Sequence, residues 1–195
     1  IYLAWERRKK LINGFDSNIH SLKNVKAYAI KKNCKILFAS SFSAIDQINY
    51  YGTQKAKCEK LLKGIKNFKI FRIAMVTSRS AGLITIINNF FKKLPFVIVP
   101  GDGNFIIYFV SISKVVTAFI KKDISKYKDI TYLYDGKAKK YINCINKKNK
   151  LLIKVPIIII KLILFLPHKL NILNTSFNYD GFLGLIYGPK EINYK

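Results

Sequence analysis

Apolar residues follow two rhythms along this chain. Three short continuous runs, Ile1 to Trp5, Lys35 to Ala39 and Lys69 to Val76, have the length and density of buried strands. Between them, Asp16 to Ile30 repeats apolar residues at Ile19, Leu22, Val25, Ala29 and Ile30. Thr53 to Ile65 does the same at Ala56, Leu61, Leu62 and Ile65. Both spacings lay one apolar stripe along a helix. Strand, helix, strand, helix, strand is the pattern of a parallel sheet with right-handed crossovers.

Beyond Val76 the rhythm changes. Leu83 to Phe91 reads as a helix, Pro95 to Pro100 as extended chain, and Gly101-Asp102-Gly103 as a turn. Phe105 to Ile112 then predicts a strand, Ser113 to Lys121 a helix, Ile130 to Tyr134 a strand, and the region around Lys140 to Asn146 a helix. The expected class is therefore α/β over residues 1–77, followed by a smaller α+β lobe over 78–195. Leu151 to Leu166 is the most hydrophobic stretch, but it is 16 residues long and carries Lys154, Pro156 and Lys161. A span needs about 20 apolar residues, so the expectation is a buried or half-buried helix starting near Pro156, with proline in its first turn.

Charge changes the picture less than its size suggests. Lys+Arg is 35 against Asp+Glu 10, a net +25, yet only Arg7, Arg8, Arg72 and Arg79 are arginine. The 31 lysines are scattered rather than gathered on one segment. Nucleic-acid readers favour arginine forks in a patch, so the reading is solvated positions and no nucleic-acid partner. Cys34, Cys58 and Cys144 form no CxxC, and His20 and His168 lie far apart. Neither a disulfide framework nor a metal site is expected, and a reducing cytoplasm fits. The chain begins at Ile1, inside an apolar run and without methionine, from which the expectation is that a segment lies upstream.

Chemistry concentrates at Tyr51-Gly52-Thr53-Gln54-Lys55. A tyrosine and a lysine four apart at a helix start share a face. At about 4 Å and an effective dielectric of about 20, the ammonium stabilises a phenolate by roughly 4 kcal/mol, or about three pKa units. That brings the phenol into the range of a general acid or base. The spacing proves little alone, because 12 tyrosines and 31 lysines produce about two such pairs by chance. Two occur, Tyr51/Lys55 and Tyr28/Lys32. Only the first follows a strand ending in serines. Ser41 is the first candidate there to share the reacting oxygen, with Ser43 and Ser40 as alternatives and a loop cap as the ordinary role. Asn18 reads as a helix N-cap, and Trp5-Glu6-Arg7-Arg8 as a solvated loop.

In order and spacing these segments resemble the extended short-chain dehydrogenase/reductases, and within them the NAD-dependent epimerases and dehydratases of nucleotide sugars. Ile1-Tyr2-Leu3-Ala4 is similar to the family's fourth strand, Phe38-Ala39-Ser40-Ser41 to the strand bearing its catalytic Ser/Thr, and Tyr51 to Lys55 to its catalytic pair. Phe71-Arg72-Ile73, Pro100 to Phe119 and Asn171 to Pro189 resemble later segments. The resemblance implies a Rossmann-type parallel sheet, here its C-terminal part, with a small substrate lobe. It also implies NAD or NADP held by Leu3, Ala4, Tyr51 and Lys55, and a nucleotide-sugar substrate, as in polysaccharide biosynthesis, with a homodimer left open. Tyr51 would take the hydroxyl proton as hydride leaves for the nicotinamide, Ser41 would bind the same oxygen, and Lys55 would hold the ribose.

Departures stand beside the matches. The Gly-rich GxxGxxG is absent, Met75 stands where a substrate-side Asn is expected, and Ser113-Lys114 where an acidic pair is expected. About two βα units, roughly sixty residues, are missing from the expected fold. A catalytically inactive, N-terminally truncated remnant is therefore the second reading. A basic protein that binds nucleic acid or an anionic membrane is the third.

Overall fold

The computed structural model describes residues 1–3, 5, 11–12, 15–63, 65–77, 82–121, 123–136, 138–169 and 179–189. Ala4, Arg7, Arg8 and the Asn171 to Asn178 part of the Asn171 to Pro189 segment lie outside these residues. In chain order the elements begin with β1 (Leu11–Ile12), β2 (Phe15–Asp16), α1 (Ser17–Lys31), β3 (Ile36–Ser41), α2 (Ser43–Asp46), α3 (Tyr50–Leu62) and β4 (Phe68–Ile73). There follow β5 (Met75–Thr77), α4 (Leu83–Phe91), β6 (Phe96–Pro100), β7 (Ile106–Ile107), β8 (Phe109–Ser111) and α5 (Ile112–Ile120). The last are β9 (Ile130–Leu133), β10 (Lys139–Lys140), β11 (Leu151–Val155), α6 (Ile157–Lys169) and α7 (Tyr179–Ile186). The architecture is α/β, a Rossmann-type arrangement of parallel strands and helices with a smaller α+β lobe.

The chain forms two compact units, one of residues 1–74 and 113–133, the other of 75–112 and 134–195. In the first, β3, β4 and β9 make a parallel sheet in that order, with Ser41 opposite Ile73 and Ile73 opposite Leu133. Residues 1–3 run parallel beside β3: Tyr2 N–H donates to Leu37 O at 2.8 Å, and Ala39 N–H to Tyr2 O at 3.3 Å. Among the described residues the expected first strand thus shows one bridge rather than a full ladder. Parallel strands covered on both faces read as continuous apolar runs, and Phe38, Ile70 and Phe71 are fully buried. Phe38 and Ile70 pack with Leu22 of α1 and Cys58 and Leu62 of α3. Asp16, not Asn18, caps α1, its carboxylate accepting from Asn18 N–H at 3.0 Å.

One buried ion pair runs across this unit. Glu59 of α3, 2% exposed, accepts from Arg72 Nη2 at 2.6 Å and Nε at 3.0 Å. It also accepts from Ser40 Oγ at 2.5 Å. Arg72 Nη1 donates to Tyr132 Oη at 2.9 Å. The pair therefore joins α3 to β3, β4 and β9 together.

The second unit pairs β5 with β8 and β6 with β11 in parallel, and β7 with β10 antiparallel. Its core is Ile87, Val97, Val99, Ile107, Tyr141, Ile145 and Leu185. A smaller cluster joins Leu164 of α6 to Phe182 and Ile186 of α7. Gly103, at φ +72°, sits in the predicted turn, where a Cβ would meet Val99 Cγ1 at 2.7 Å. One expectation fails here. The helix around Lys140 to Asn146 is one 3₁₀ turn, Tyr141–Asn143. Leu151 to Val155 is a strand, because β6 offers it a parallel partner from Phe96 to Pro100; the helix starts after Pro156, as expected.

Removing one member of a buried pair strands the other charge, which costs about 3–5 kcal/mol. Arg72→Met is expected to lower unfolding free energy by that amount in urea titration. Glu59→Leu combined with Arg72→Met is expected to recover most of the loss, and a double variant as unstable as the single one would refute this account.

Candidate active site

The start of α3 is built by its own side chains. Asn49 Oδ1 accepts from Gly52 N–H at 2.7 Å, capping the first turn. Thr53 Oγ1 donates to Asn49 O at 3.0 Å. Tyr50 Oη donates to Asp16 Oδ2, so the carboxylate that caps α1 also anchors the start of α3. Gly52 is required by close approach: a Cβ there would stand 2.2 Å from the Ser43 carbonyl of α2.

Tyr51, Lys55 and Glu59 follow at intervals of four and form one stripe of α3. Glu59 is drawn into the ion pair, and Lys55 is drawn to the carboxyl end of β3. Its Nζ donates to Ala39 O at 2.6 Å. It stands 3.7 Å from the centroid of the Trp5 ring, 4.9 Å from that of Phe38 and 5.6 Å from that of Tyr51. Trp5 meets the Tyr51 ring edge-on at 5.7 Å. The result is an ammonium boxed by aromatic faces and one carbonyl, only 4% exposed. Burial pushes its pKa down to about 8, with Cys58 and Glu59 pulling the other way. Burial pushes the Cys58 thiol up to about 12, which makes it an inert core group at neutral pH.

The serines divide their roles. Ser40 is buried and committed to Glu59, so it belongs to the ion pair. Ser41 closes β3, and its Oγ accepts from Ser43 N–H at 3.2 Å; a hydroxyl that accepts once keeps its proton for another acceptor. Leu3 is exposed. Tyr28 is 62% exposed in the last turn of α1, and Lys32 lies past the helix end, as fits a chance pair. Trp5 is not a solvated loop residue but half-buried over Lys55. The sequence gives Glu59 and Arg72 no assigned pairing, although an arginine inside an apolar strand demands a buried partner, and Glu59 continues the Tyr51/Lys55 spacing. Among the described residues no three His, Cys, Asp or Glu side chains gather as for a metal, and no helix is long and apolar enough to cross a membrane.

No protein-family model and no curated protein matches this chain. Solved structures do. It is similar to a UDP-glucose 4-epimerase with UDP-glucose from Thermotoga maritima, at 20% identity and TM-score 0.56, covering 72% of this chain and 56% of that one. It is similar to the ADP-L-glycero-D-manno-heptose-6-epimerase of Helicobacter pylori, at 16% identity and TM-score 0.59, covering 71% and 54%. It is also similar to a dTDP-4-dehydrorhamnose reductase from Bacillus anthracis in complex with NADP, at 13% identity and TM-score 0.59, covering 71% and 57%. The chain shares its fold with these proteins, and the matched region spans a little over half of each of them.

The residues present suit one end of such a cofactor. An ammonium beside a phenol matches a ribose diol, and the carboxyl end of parallel strands is where α/β folds bind ligands. With Lys55 this buried, Trp5 must move before a diol can reach it. The 195 residues contain no GxxGxxG turn for a pyrophosphate.

Trp5 is the only tryptophan, so it reports on Lys55. Its emission is expected to change with an apparent pKa of about 8, and the step should vanish in Lys55→Met. A folded-state pKa below the ordinary lysine value of about 10.4 means that fewer protons are bound folded than unfolded between the two. Stability should therefore rise, relative to Lys55→Met, by about 2 kcal/mol as pH climbs from 7 to 10. A flat difference would show that the ammonium is not desolvated. Gly52→Ala is expected to cost about 1–3 kcal/mol by overpacking α2 against α3, read as a lowered urea midpoint.

Proposed function

We propose that this chain carries the proton-transfer machinery of an NAD(P)-dependent epimerase, dehydratase or reductase acting on a nucleotide sugar. The observation that carries this reading is the Tyr51/Lys55 pair, its ammonium buried at the carboxyl end of β3 on the Ala39 carbonyl. Catalytic tyrosines work by exchanging a proton with the substrate at a position fixed by the protein. Tyr51 accepts the proton of a sugar hydroxyl. Ser41 donates a hydrogen bond to the same oxygen and orients it. Lys55 stabilises the phenolate electrostatically and, with Trp5 displaced, binds the nicotinamide ribose together with Tyr51. A nicotinamide cofactor held there would supply the acceptor for the hydride that leaves the sugar carbon. Glu59 and Arg72 position the reacting helix without touching substrate.

Trp5 favours a second reading. An ammonium closed by an indole and a carbonyl binds nothing further while that closure holds, as in an inactive remnant. The two readings part on a single experiment. Purified protein is incubated with NAD or NADP and a panel of UDP-, ADP- and dTDP-sugars, and products are followed by NMR. Tyr51→Phe is expected to lower kcat by about 100-fold or more, while Tyr28→Phe leaves it unchanged. Equal rates for Tyr51→Phe and wild type would refute the catalytic assignment. Absence of turnover by wild type with every sugar would favour the remnant.

A further inference from the structure

Helix α6 has two faces of the same composition and opposite fates. Ile157, Ile160 and Leu164 turn inward, where they pack with Phe182 and Ile186 of α7. Ile158, Ile159, Leu162, Ile163 and Phe165 turn outward and are between 45% and 64% exposed. At about 100° per residue the outward five fall in one arc of about 160°, and from Ile158 to Leu166 no polar residue falls within it. Single exposed apolar side chains are ordinary. Five adjoining ones on a 13-residue helix make a surface that water disfavours.

The charge around this face restricts what can cover it. From Gly136 to Tyr179 the chain has nine lysines and no aspartate or glutamate. Lys154 stands exposed just before the helix, and Lys161 borders the apolar arc, its Nζ over the Tyr187 ring at 4.6 Å. A second copy of the chain would bring like charges together. An apolar face with Lys154 at its start and Lys161 on its margin instead matches a surface with an acyl interior and anionic headgroups. The helix is about 20 Å long, too short for a hydrocarbon core of about 30 Å, so it would lie flat in the interface.

We propose that the outward face of α6 docks the protein on an anionic membrane surface. The face sinks to the acyl boundary while the flanking lysines meet lipid phosphates and carboxylates. The inference is independent of the catalytic reading, since Tyr51 and Lys55 play no part in it.

The test is co-sedimentation of the whole chain with phosphatidylcholine vesicles, with or without about one-third phosphatidylglycerol, at low and high salt. The protein is expected to sediment with the anionic vesicles only, and salt should weaken binding about ten-fold. Ile158→Gln/Leu162→Gln/Ile163→Gln keeps every lysine and is expected to lose about ten-fold in affinity. Ile159→Gln/Phe165→Gln serves as an independent variant of the same face should the triple variant lose its helical circular dichroism. Three results would overturn the proposal: no binding to anionic vesicles, binding untouched by both face variants, or self-association in sedimentation velocity that the face variants abolish. The last would give the face to a second copy.

Discussion

A single buried carboxylate, that of Glu59, ties α3 to all three strands of the β3–β4–β9 sheet through Ser40, Arg72 and Tyr132. Desolvating a carboxylate costs several kcal/mol unless its lone pairs are satisfied. Here two guanidinium N–H groups and a hydroxyl satisfy them. Because Tyr51 and Lys55 lie eight and four residues earlier on the same stripe, an α3 anchored at Glu59 has one rotation about its axis. That rotation carries the Lys55 ammonium to the Ala39 carbonyl. The ion pair thus sets the site's geometry from a distance.

At Lys55 two effects oppose each other. Burial disfavours the charge, while the Ala39 carbonyl and the aromatic faces of Trp5, Phe38 and Tyr51 favour it. A desolvated cation–π contact contributes about 2 kcal/mol, comparable with one or two pKa units. The outcome is an ammonium held near its point of deprotonation at mildly alkaline pH. Trp5 therefore has two consequences. It supports the charge that a phenolate needs, and it covers the group that a ligand would have to reach.

Several of the lysines also have structural tasks. Lys150 Nζ reaches the carbonyls of Phe91 and Leu94, each at 2.6 Å, and so closes the end of α4. Lys26 Nζ meets Leu61 O at 2.7 Å, joining α1 to the end of α3. Lys69 Nζ meets Tyr127 O at 2.6 Å and pairs with Asp129. Composition reads these residues as solvent-facing charge, since a lysine bound to carbonyls and one in water look alike in a sequence.

By itself the sequence determined the parallel order of strands and helices up to Ile73, the helix from Leu83 to Phe91, the turn at Gly103 and the helix after Pro156. Each depends on local periodicity, a proline or a glycine, which neighbours in the chain suffice to express. It also marked Tyr51 and Lys55, because a helical spacing of four is local geometry. Tertiary structure decided the rest. Leu151 to Val155 became a strand only because β6 lay beside it, and Lys140 to Asn146 lost its helix where backbone pairing with β7 and packing of Tyr141 on Phe105 took precedence. Ser40 was taken from the candidate site by Glu59, nineteen residues away. Trp5 was brought over Lys55 by a strand bridge at Tyr2. Contacts of this kind join positions far apart in the chain, and the energy that selects them, burial set against unpaired charge, exists only once the core has formed.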